Sequence, residues 1–451
     1  MRLRRPPGPA NGWTGLRHIR PMRKDLLTYV QGLRQEYGDI VYLRAGPFGI
    51  NLLSHPNHLQ TVLIDRAEDY RKPRRMRKAF QLLIRGGIAL NDGPEWVHRR
   101  SLLQQALAQL DYEQVAAAAV RYTERMIGRL AGGSADAADE IERVIIGTSL
   151  DTALGQEAAE AADQIFEDIT TGLAATIELI RSPMPLFIPT LRQRRIWRCA
   201  ERFATLAEAA RLRCITRQEH PARCLMAGML EGRDEAGQPG SPRVLNEEAI
   251  MMVAGGKETA GPAALWTCYL LAGHPDVQER AVAEVARVLQ GRRPCAADVP
   301  RLKWLEAVYK ESLRLYPPGF IVLREVDRHT KVSGYDLTPG DAVCLYVLAM
   351  QRDPRWFDDP ERFRPERFLE GSSPTVAQGY APFGIGKRAC PGGRIAVVTT
   401  VVMLARLLQG FRWQLPEGTT LPRPILHMGM RPRQEVQLRL VPARDIAACP
   451  E

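Results

Sequence analysis

The sequence predicts a mainly helical fold with a small β-rich part, and three observations carry that expectation. Residues 114–180 read as successive helices, and 191–210 resumes the helical period after a break containing Pro183, Pro185 and Pro189. Residues 40–44 and 49–53 read as paired strands around a Gly-Pro turn. Near the C-terminus a glycine-rich loop feeds an apolar segment, 395–408, whose one charge is Arg406. The 451 residues are 45% hydrophobic and 25% charged, an ordinary globular composition. No composition shift, long Gly/Ser linker or solenoid-period repeat divides them.

Taken in order, residues 25–37 place Leu26, Leu27, Val30 and Leu33 at helical spacing and end at Gly38. Residues 55–64 read as a further helix. Between 71 and 85, Arg71, Lys72, Arg74, Arg75, Arg77, Lys78 and Arg85 are interleaved with Met76, Phe80, Leu82, Leu83 and Ile84. The simple reading is a solvated basic face; the sharper one is that some of these cations meet a substrate carboxylate. Asp92 or Gly93 caps a helix whose first position is Pro94, so Trp96 and Arg100 lie one turn apart on one face. Residues 233–242 are a loop. Asn246 caps the next helix, with Glu247 and Glu248 at its positive end.

That helix carries Gly255, Gly256, Gly261 and Pro262. Glycines at about 1 kcal/mol each and an interior proline at about 3 make roughly 6 kcal/mol of local disfavour, which a purely structural helix has no reason to carry. Pro262 also leaves the Glu258 carbonyl without its partner four residues on. Residues 303–315 form a helix halted by Pro317-Pro318. Glu311 and Arg314 stand at i, i+3, opposite the stripe Leu305, Val308, Tyr309 and Ser312, so spacing alone makes them a solvated surface pair.

The stretch with most chemistry is Ala381-Pro-Phe-Gly-Ile-Gly-Lys-Arg-Ala-Cys-Pro-Gly-Gly-Arg394. Two glycines on each side of Cys390 let backbone approach a flat group. A helix beginning directly after the cysteine, with Pro391 in its first turn, favours the thiolate through its macrodipole. Pro391 brings no N–H, which leaves more electron density on the sulfur. One cysteine near glycines is more often a small buried hydrophobe. The spacing decides otherwise: Phe383, Gly386, Arg388, Cys390 and Gly392 match F-x-x-G-x-R-x-C-x-G, which resembles the haem-ligand loop of the cytochrome P450 superfamily, here of the soluble bacterial type.

The resemblance implies one P450 domain over 1–451 around a buried haem b (iron protoporphyrin IX), with 1–24 as a basic, proline-containing arm. Cys390 would be the axial iron ligand, with Phe383, Gly386, Arg388 and Gly392 shaping the cofactor loop. Trp96 and Arg100 resemble the W-x-x-x-R motif that holds a propionate, and Arg324, ending a strand over 319–324, would reach another. Residues 255–259 resemble [AG]-G-x-[DE]-T, which makes Glu258 and Thr259 the acid and hydroxyl of proton delivery. Two departures stand out: Lys257 occupies a position usually held by His or a small residue, and the run from the cap to Gly255 is about one turn short, opening the upper pocket. Glu311 and Arg314 resemble E-x-x-R, completed by Arg367 of Pro365-Glu-Arg-Phe368 into a structural triad. Ala254, Ile321, Val322 and Met428 would face the substrate, His427 would be a turn residue, and 71–85 would be a loop over the distal pocket.

The implied activity is a haem-thiolate monooxygenase placing one atom of O2 into a C–H or C=C bond of a hydrophobic fatty acid, terpenoid or other natural product. No flavin or iron–sulfur domain is fused, so electrons would come from a ferredoxin or flavodoxin with an NAD(P)H-dependent reductase. A redox-neutral isomerase or a peroxygenase is the alternative within enzymes, but such relatives typically lose the threonine. A non-catalytic haem-thiolate binding protein would need no electron donor. The formal net charge is +11 with pI about 9.4, and no nucleic-acid module accompanies it, so the charge points to an acidic redox partner, met by Arg99 and Lys387. Eight cysteines without a C-x-x-C pair read as reduced thiols in a cytoplasmic protein. No apolar run of about 18 residues marks a transmembrane segment.

If Cys390 supplies the thiolate, the reduced carbon monoxide complex shows the red-shifted Soret band of haem-thiolate proteins. Cys390→Ser abolishes that band, whereas Ala at any other cysteine preserves it. A normal band in Cys390→Ser removes the assignment.

Overall fold

The computed structural model describes residues 3–10, 15–46, 48–131, 136–182, 190–369, 373–426, 429–433 and 436–443. It is mostly helical with small sheets, as expected. The chain divides into two compact units. The first comprises Met1–Arg77, Leu313–Phe363 and Gly371–Cys390; the second comprises Lys78–Ser312, Arg364–Glu370 and Pro391–Glu451.

The first unit holds most of the β structure. Its helix Leu26–Tyr37 starts at Asp25, whose carboxylate accepts the Thr28 N–H at 3.1 Å, and stops at Gly38, φ 91°. The strands are β1 (Ile40–Ala45), β2 (Phe48–Leu53), β3 (Tyr70–Arg71), β4 (Val322–Val326), β5 (Thr330–Val332), β6 (Tyr335–Leu337) and β7 (Ala342–Leu345). β1 and β2 pair antiparallel with Ile40 opposite Leu53, and the sheet continues in the order β1-β2-β7-β4-β3. β2 and β7 are parallel, which their wide separation in sequence allows, while β5 and β6 form a separate hairpin. Ile40, Leu53, Val326, Val343 and Leu345 supply the buried side of this unit, joined by Leu59 and Met350. The expected strand after Pro317-Pro318 starts later, at Val322, because 317–321 remain in a turn. The helix expected over 55–64 is an α turn, Pro56–Gln60, running into a wider π turn, Thr61–Asp65.

Arg314 fixes this unit from the inside. Its Nη1 donates to the carbonyls of Gln351 at 2.8 Å and Pro360 at 2.7 Å, and its Nη2 to that of Arg362 at 3.1 Å. The Gln351 amide returns to the Leu313 and Arg314 carbonyls at 2.9 and 3.0 Å. The spacing-only reading of Glu311 and Arg314 as a surface pair therefore fails, since both are 0% exposed. An i, i+3 spacing reports that two residues share a face, not whether that face meets water.

The second unit is a helical body. Helices Tyr112–Ala131 and Ala137–Leu154 pack closely because a Cβ at Gly147 would lie 2.4 Å from the Tyr122 ring. Two short antiparallel pairs, β8 (Phe411–Gln414) with β11 (Arg439–Pro442) and β9 (Pro424–Leu426) with β10 (Met430–Pro432), border it. The helix Leu191–Arg217 begins with a capping box of Thr190 and Gln193. Pro183, Pro185 and Pro189 lie outside the described residues.

Four expectations change. Residues 74–84 are a helix, Arg74–Ile84, because Ala79, Phe80, Leu83 and Ile84 recur at helical spacing and are buried. Arg71 beside it pairs with Glu325 at 2.7 Å and also with Asp327. The helix expected to start at Asn246 begins at Pro242, capped by the Ser241 hydroxyl, which accepts the Val244 N–H at 3.3 Å. Asn246 instead donates to Glu208 at 2.7 Å, and the extra turn removes the expected shortening of the helix. Arg99, expected on an exposed basic face, is 0% exposed and bonded to Glu95, Glu247 and Glu248 at 2.8, 2.6 and 3.1 Å. Finally, the helix after Cys390 begins at Gly393, with Pro391 and Gly392 in a turn before it.

Removing a buried guanidinium leaves its acceptors without donors, at a cost of about 3–5 kcal/mol. Arg314→Ala should lower the denaturation midpoint accordingly, with Arg314→Lys recovering only part of the loss, because one ammonium cannot span three carbonyls. Unchanged unfolding in Arg314→Ala contradicts this role.

Candidate active site

In the first unit, the loop before Cys390 closes on itself. The Ala381 N–H donates to Gln351 Oε1 at 3.1 Å, the Gly384 N–H to the Ala381 carbonyl at 3.0 Å, and the Cys390 N–H to the Phe383 carbonyl at 2.8 Å. Gly386–Arg388 form one 3-10 turn, and a Cβ on Gly386 (φ 71°) would lie 2.7 Å from the Leu63 carbonyl oxygen. Only glycine satisfies both demands. Of the seven described cysteines, Cys390 alone is exposed; Cys199, Cys214, Cys224 and Cys268 are buried, and Cys295 and Cys344 intermediate. Arg388 is half-buried and Lys387 exposed beside it in sequence. Arg324, in β4 opposite Val343, is half-buried, as are Ile321 and Val322.

In the second unit, the glycine-rich helix breaks where its sequence disfavours it. Pro242–Glu258 ends and Ala260–Gly273 begins at Thr259, with φ −124° and ψ −69°. The Thr259 hydroxyl donates to the Gly255 carbonyl at 2.6 Å, and Thr259 is exposed although Lys257 and Glu258 are buried. Ala254, one turn earlier, is buried. Upstream, Ile250 and Val253 line a small apolar cavity with Leu150, Ile169 and Phe203. Trp96 and Arg100 are half-buried on the helix Gly93–Gln109. Glu311 Oε1 accepts the Arg364 N–H at 3.0 Å and the Arg367 Nε–H at 3.3 Å, which ties the helix Lys303–Leu315 to the Pro365–Phe368 turn. Gly392 has room for a Cβ only 3.4 Å from the Met252 methyl. Met428 and His427 lie outside the described residues.

The acid of the pair is tied into a cluster that the sequence did not reveal. Arg431 of β10 donates to Glu258 Oε1 at 3.3 Å and also to Glu142, which in turn pairs with Lys257. Lys257 Nζ lies 4.7 Å from the Phe166 ring centre, and both it and Glu142 are buried. Glu258 Oε2 is buried with no hydrogen-bond partner among the described residues. Burial pushes the Glu258 carboxyl up to about 7. Glu142 and Arg431 carry no local motif; only the fold brings them beside positions 257 and 258.

The family model for Cytochrome P450 matches residues 6–440. The chain belongs to the cytochrome P450 family. It is similar to cyclooctat-9-en-7-ol 5-monooxygenase of Streptomyces melanosporofaciens, 29% identical over 398 residues, covering 85% of this chain and 84% of that one. Pentalenene oxygenase of Streptomyces avermitilis is 28% identical, with 88% of each chain covered. Ent-isokaurene C2/C3-hydroxylase of Oryza sativa subsp. japonica is 28% identical, covering 99% and 94%. Among solved structures, a retinoic acid bound cyanobacterial P450, CYP120A1, superposes with TM-score 0.82 at 22% identity, covering 98% of this chain and 100% of that one. The P450DA haem domain gives 0.85 at 21%, covering 98% and 99%. At these identities the structural likeness speaks for the fold.

As a cytochrome P450 the protein is a monooxygenase-class oxidoreductase that uses haem b. The residues present fit that group: an exposed thiol, soft enough for iron, is held by a closed loop with glycines on both sides. In this P450, Lys257 neutralises Glu142 instead of standing free beside Glu258.

If Glu258 is the acid of proton delivery, loss of its proton as pH rises through about 7 should lower the product formed per electron pair supplied. Arg431 favours the ionised carboxylate, so Arg431→Met should raise the Glu258 pKa and move that alkaline limb to higher pH, while Glu258→Gln should flatten it. Coupling measured from pH 6 to 9 checks both, and an unmoved limb in Arg431→Met rejects the linkage.

Proposed function

We propose that this P450 hydroxylates or epoxidises a terpenoid, with electrons delivered by a separate acidic ferredoxin or flavodoxin and its NAD(P)H-dependent reductase. The observation that carries oxygen activation is the Thr259 hydroxyl, exposed at the helix break and donating to the Gly255 carbonyl at 2.6 Å. A hydroxyl whose proton is committed to a carbonyl can only accept from an incoming water. That water then points its other proton away, toward the reacting oxygen. Substrate class rests on the relatives, which are named for acting on cyclooctat-9-en-7-ol, pentalenene and ent-isokaurene.

The remaining roles follow from the same reading. Haem, when bound, supplies oxygen binding and O–O cleavage. Cys390 holds its iron, Phe383, Gly386, Arg388 and Gly392 shape the loop, and Trp96, Arg100 and Arg324 meet its carboxylates. Ala254, Ile321, Val322 and Met428 bound the substrate, and Glu311, Arg314 and Arg367 are structural. Residues 1–451 act as one P450 domain, which the family match across 6–440 supports. No disulfide joins any two of the seven described cysteines, in keeping with a cytoplasmic location, and no described helix is long and apolar enough to cross a membrane. Lys387 offers positive charge to the redox partner.

Titration with diterpenes, sesquiterpenes and fatty acids, read as a spin-state shift of the haem, tests the substrate class; a response to fatty acids alone overturns it. Thr259→Ala should keep the haem, the thiolate spectrum and substrate binding. It should lose about 10²–10⁴ in the rate of product formation while electrons drain to peroxide. If Thr259→Ala leaves product per electron pair unchanged, the proton-delivery role is wrong. Turnover of the parent without any electron donor would instead make it an isomerase or a peroxygenase.

A further inference from the structure

The turn joining the helices Leu191–Arg217 and Leu225–Glu231 gathers three metal-binding side chains that P450 chemistry does not use. Gln218, in the left-handed region at φ 48°, ends the first helix, and the Glu219 N–H returns to the Cys214 carbonyl at 3.0 Å. A second reversal, in which the Arg223 N–H donates to the His220 carbonyl at 3.0 Å, brings Cys224 back toward Cys214. The two sulfurs end 4.0 Å apart, and Glu219 Oε2 lies 3.6 Å from the Cys214 sulfur. All three ligand atoms fall within 4.8 Å of one another.

We propose that Cys214, Cys224 and Glu219 form a binding site for a soft divalent cation of the zinc class, with water as the fourth ligand. Zinc–sulfur bonds of about 2.3 Å at tetrahedral angles set sulfurs roughly 3.8 Å apart, close to the spacing already present. Both thiols are buried, Cys214 at 3% and Cys224 at 0% exposure. The Glu219 side chain is only 3% exposed, yet its Oε1 has no hydrogen-bond partner among the described residues. A buried carboxylate oxygen without a partner is costly, and a cation held by both oxygens of Glu219 would answer it. Two thiolates and a carboxylate exceed the charge of one divalent ion by one. Arg213, Arg217 and Arg223 share the single carboxylate of Glu157, and Arg223 Nε also lies 3.6 Å from Glu219, so their surplus positive charge can balance the excess. A Cβ on Gly155 would lie 3.6 Å from Arg213 Nη2 and 3.9 Å from the Cys224 sulfur, so both groups border that glycine.

A disulfide is the competing state of the pair. It would require the sulfurs to close to about 2.05 Å, and it would leave Glu219 Oε1 still unanswered. Coordination instead releases each thiol proton to solvent as the metal–sulfur bond forms, with no oxidant needed.

The test uses the haem-loaded protein, stripped with a chelator and titrated with zinc alone against a chromophoric competitor, with zinc and iron counted by elemental analysis. The expected result is one zinc per iron in the parent and none in Cys214→Ser or Cys224→Ser. Glu219→Gln should bind roughly 10–100-fold more weakly, and Cys199→Ser should bind as the parent does. The reduced carbon monoxide spectrum verifies that each variant is folded. If a variant fails to fold, zinc should still slow alkylation of Cys214 and Cys224 in the parent, mapped by peptide mass. Equal zinc in parent and cysteine variants, unprotected alkylation, or an intact mass showing the pair oxidised without bound zinc overturns the proposal.

Discussion

A cation removed from water must have its N–H groups answered by the protein, and this constraint shapes both units of the chain. Burying a guanidinium forfeits hydration worth several kcal/mol, which is recovered only where acceptors match its fork. Arg314 meets the demand with three carbonyls from two separated stretches, so the turns around Gln351 and around Pro360 to Arg362 are set by one side chain. Gln351 carries the order onward, since its Oε1 accepts the Ala381 N–H at the root of the cysteine loop. In the helical unit Arg99 does the same with carboxylates, pulling Glu247 and Glu248 onto the helix that contains Glu95. Glu248 then holds the Ile88 N–H at 3.1 Å, which pins the chain entering that helix.

The broken helix is the opposite case, a local conformation that its own residues disfavour. Three glycines and a proline weaken the ladder, and the break falls at Thr259, three residues before Pro262. What the flanking structure provides is a tight seat. Gly256 cannot carry a Cβ without approaching Ser149 Oγ at 2.8 Å, and Trp266 anchors the second half through a 3.0 Å bond to the Met430 carbonyl. The break is thereby confined to one turn, where the hydroxyl turns to Gly255.

These two features differ in how far the sequence exposes them. The helix break was legible because glycine and proline act locally, and the cysteine loop because five fixed residues within ten positions constrain one turn. The burial of Glu311 and Arg314 was not legible from spacing, and Arg99 was placed on the wrong side of the surface. In each case the partner lies far along the chain, and a charged residue carries no mark of its eventual exposure. The cap at Ser241 was missed for a narrower reason: Asn246 is an equally good capping type, and only the position of Pro242 favours the earlier start. The nearness of Cys214 to Cys224 was hidden because it depends on Gln218 adopting a left-handed conformation that no glycine announces.

The charge cluster around Glu258 shows why such hidden partners matter to chemistry. Burial alone favours a neutral carboxyl, and a fully paired arginine alone favours an ionised one. Here Arg431 is shared between Glu142 and Glu258, and Glu142 is already neutralised by Lys257. With Glu258 ionised the four groups sum to zero; with it protonated they sum to one positive charge. Desolvation opposes the first state and the excess charge opposes the second, so neither dominates near neutral pH. An acid held between two such penalties gives and regains a proton at little cost, which is the property a proton-delivery group needs. Lys257, an apparent departure in the motif, is therefore part of what sets that balance: without it, Glu142 would claim more of Arg431 and leave Glu258 more firmly protonated.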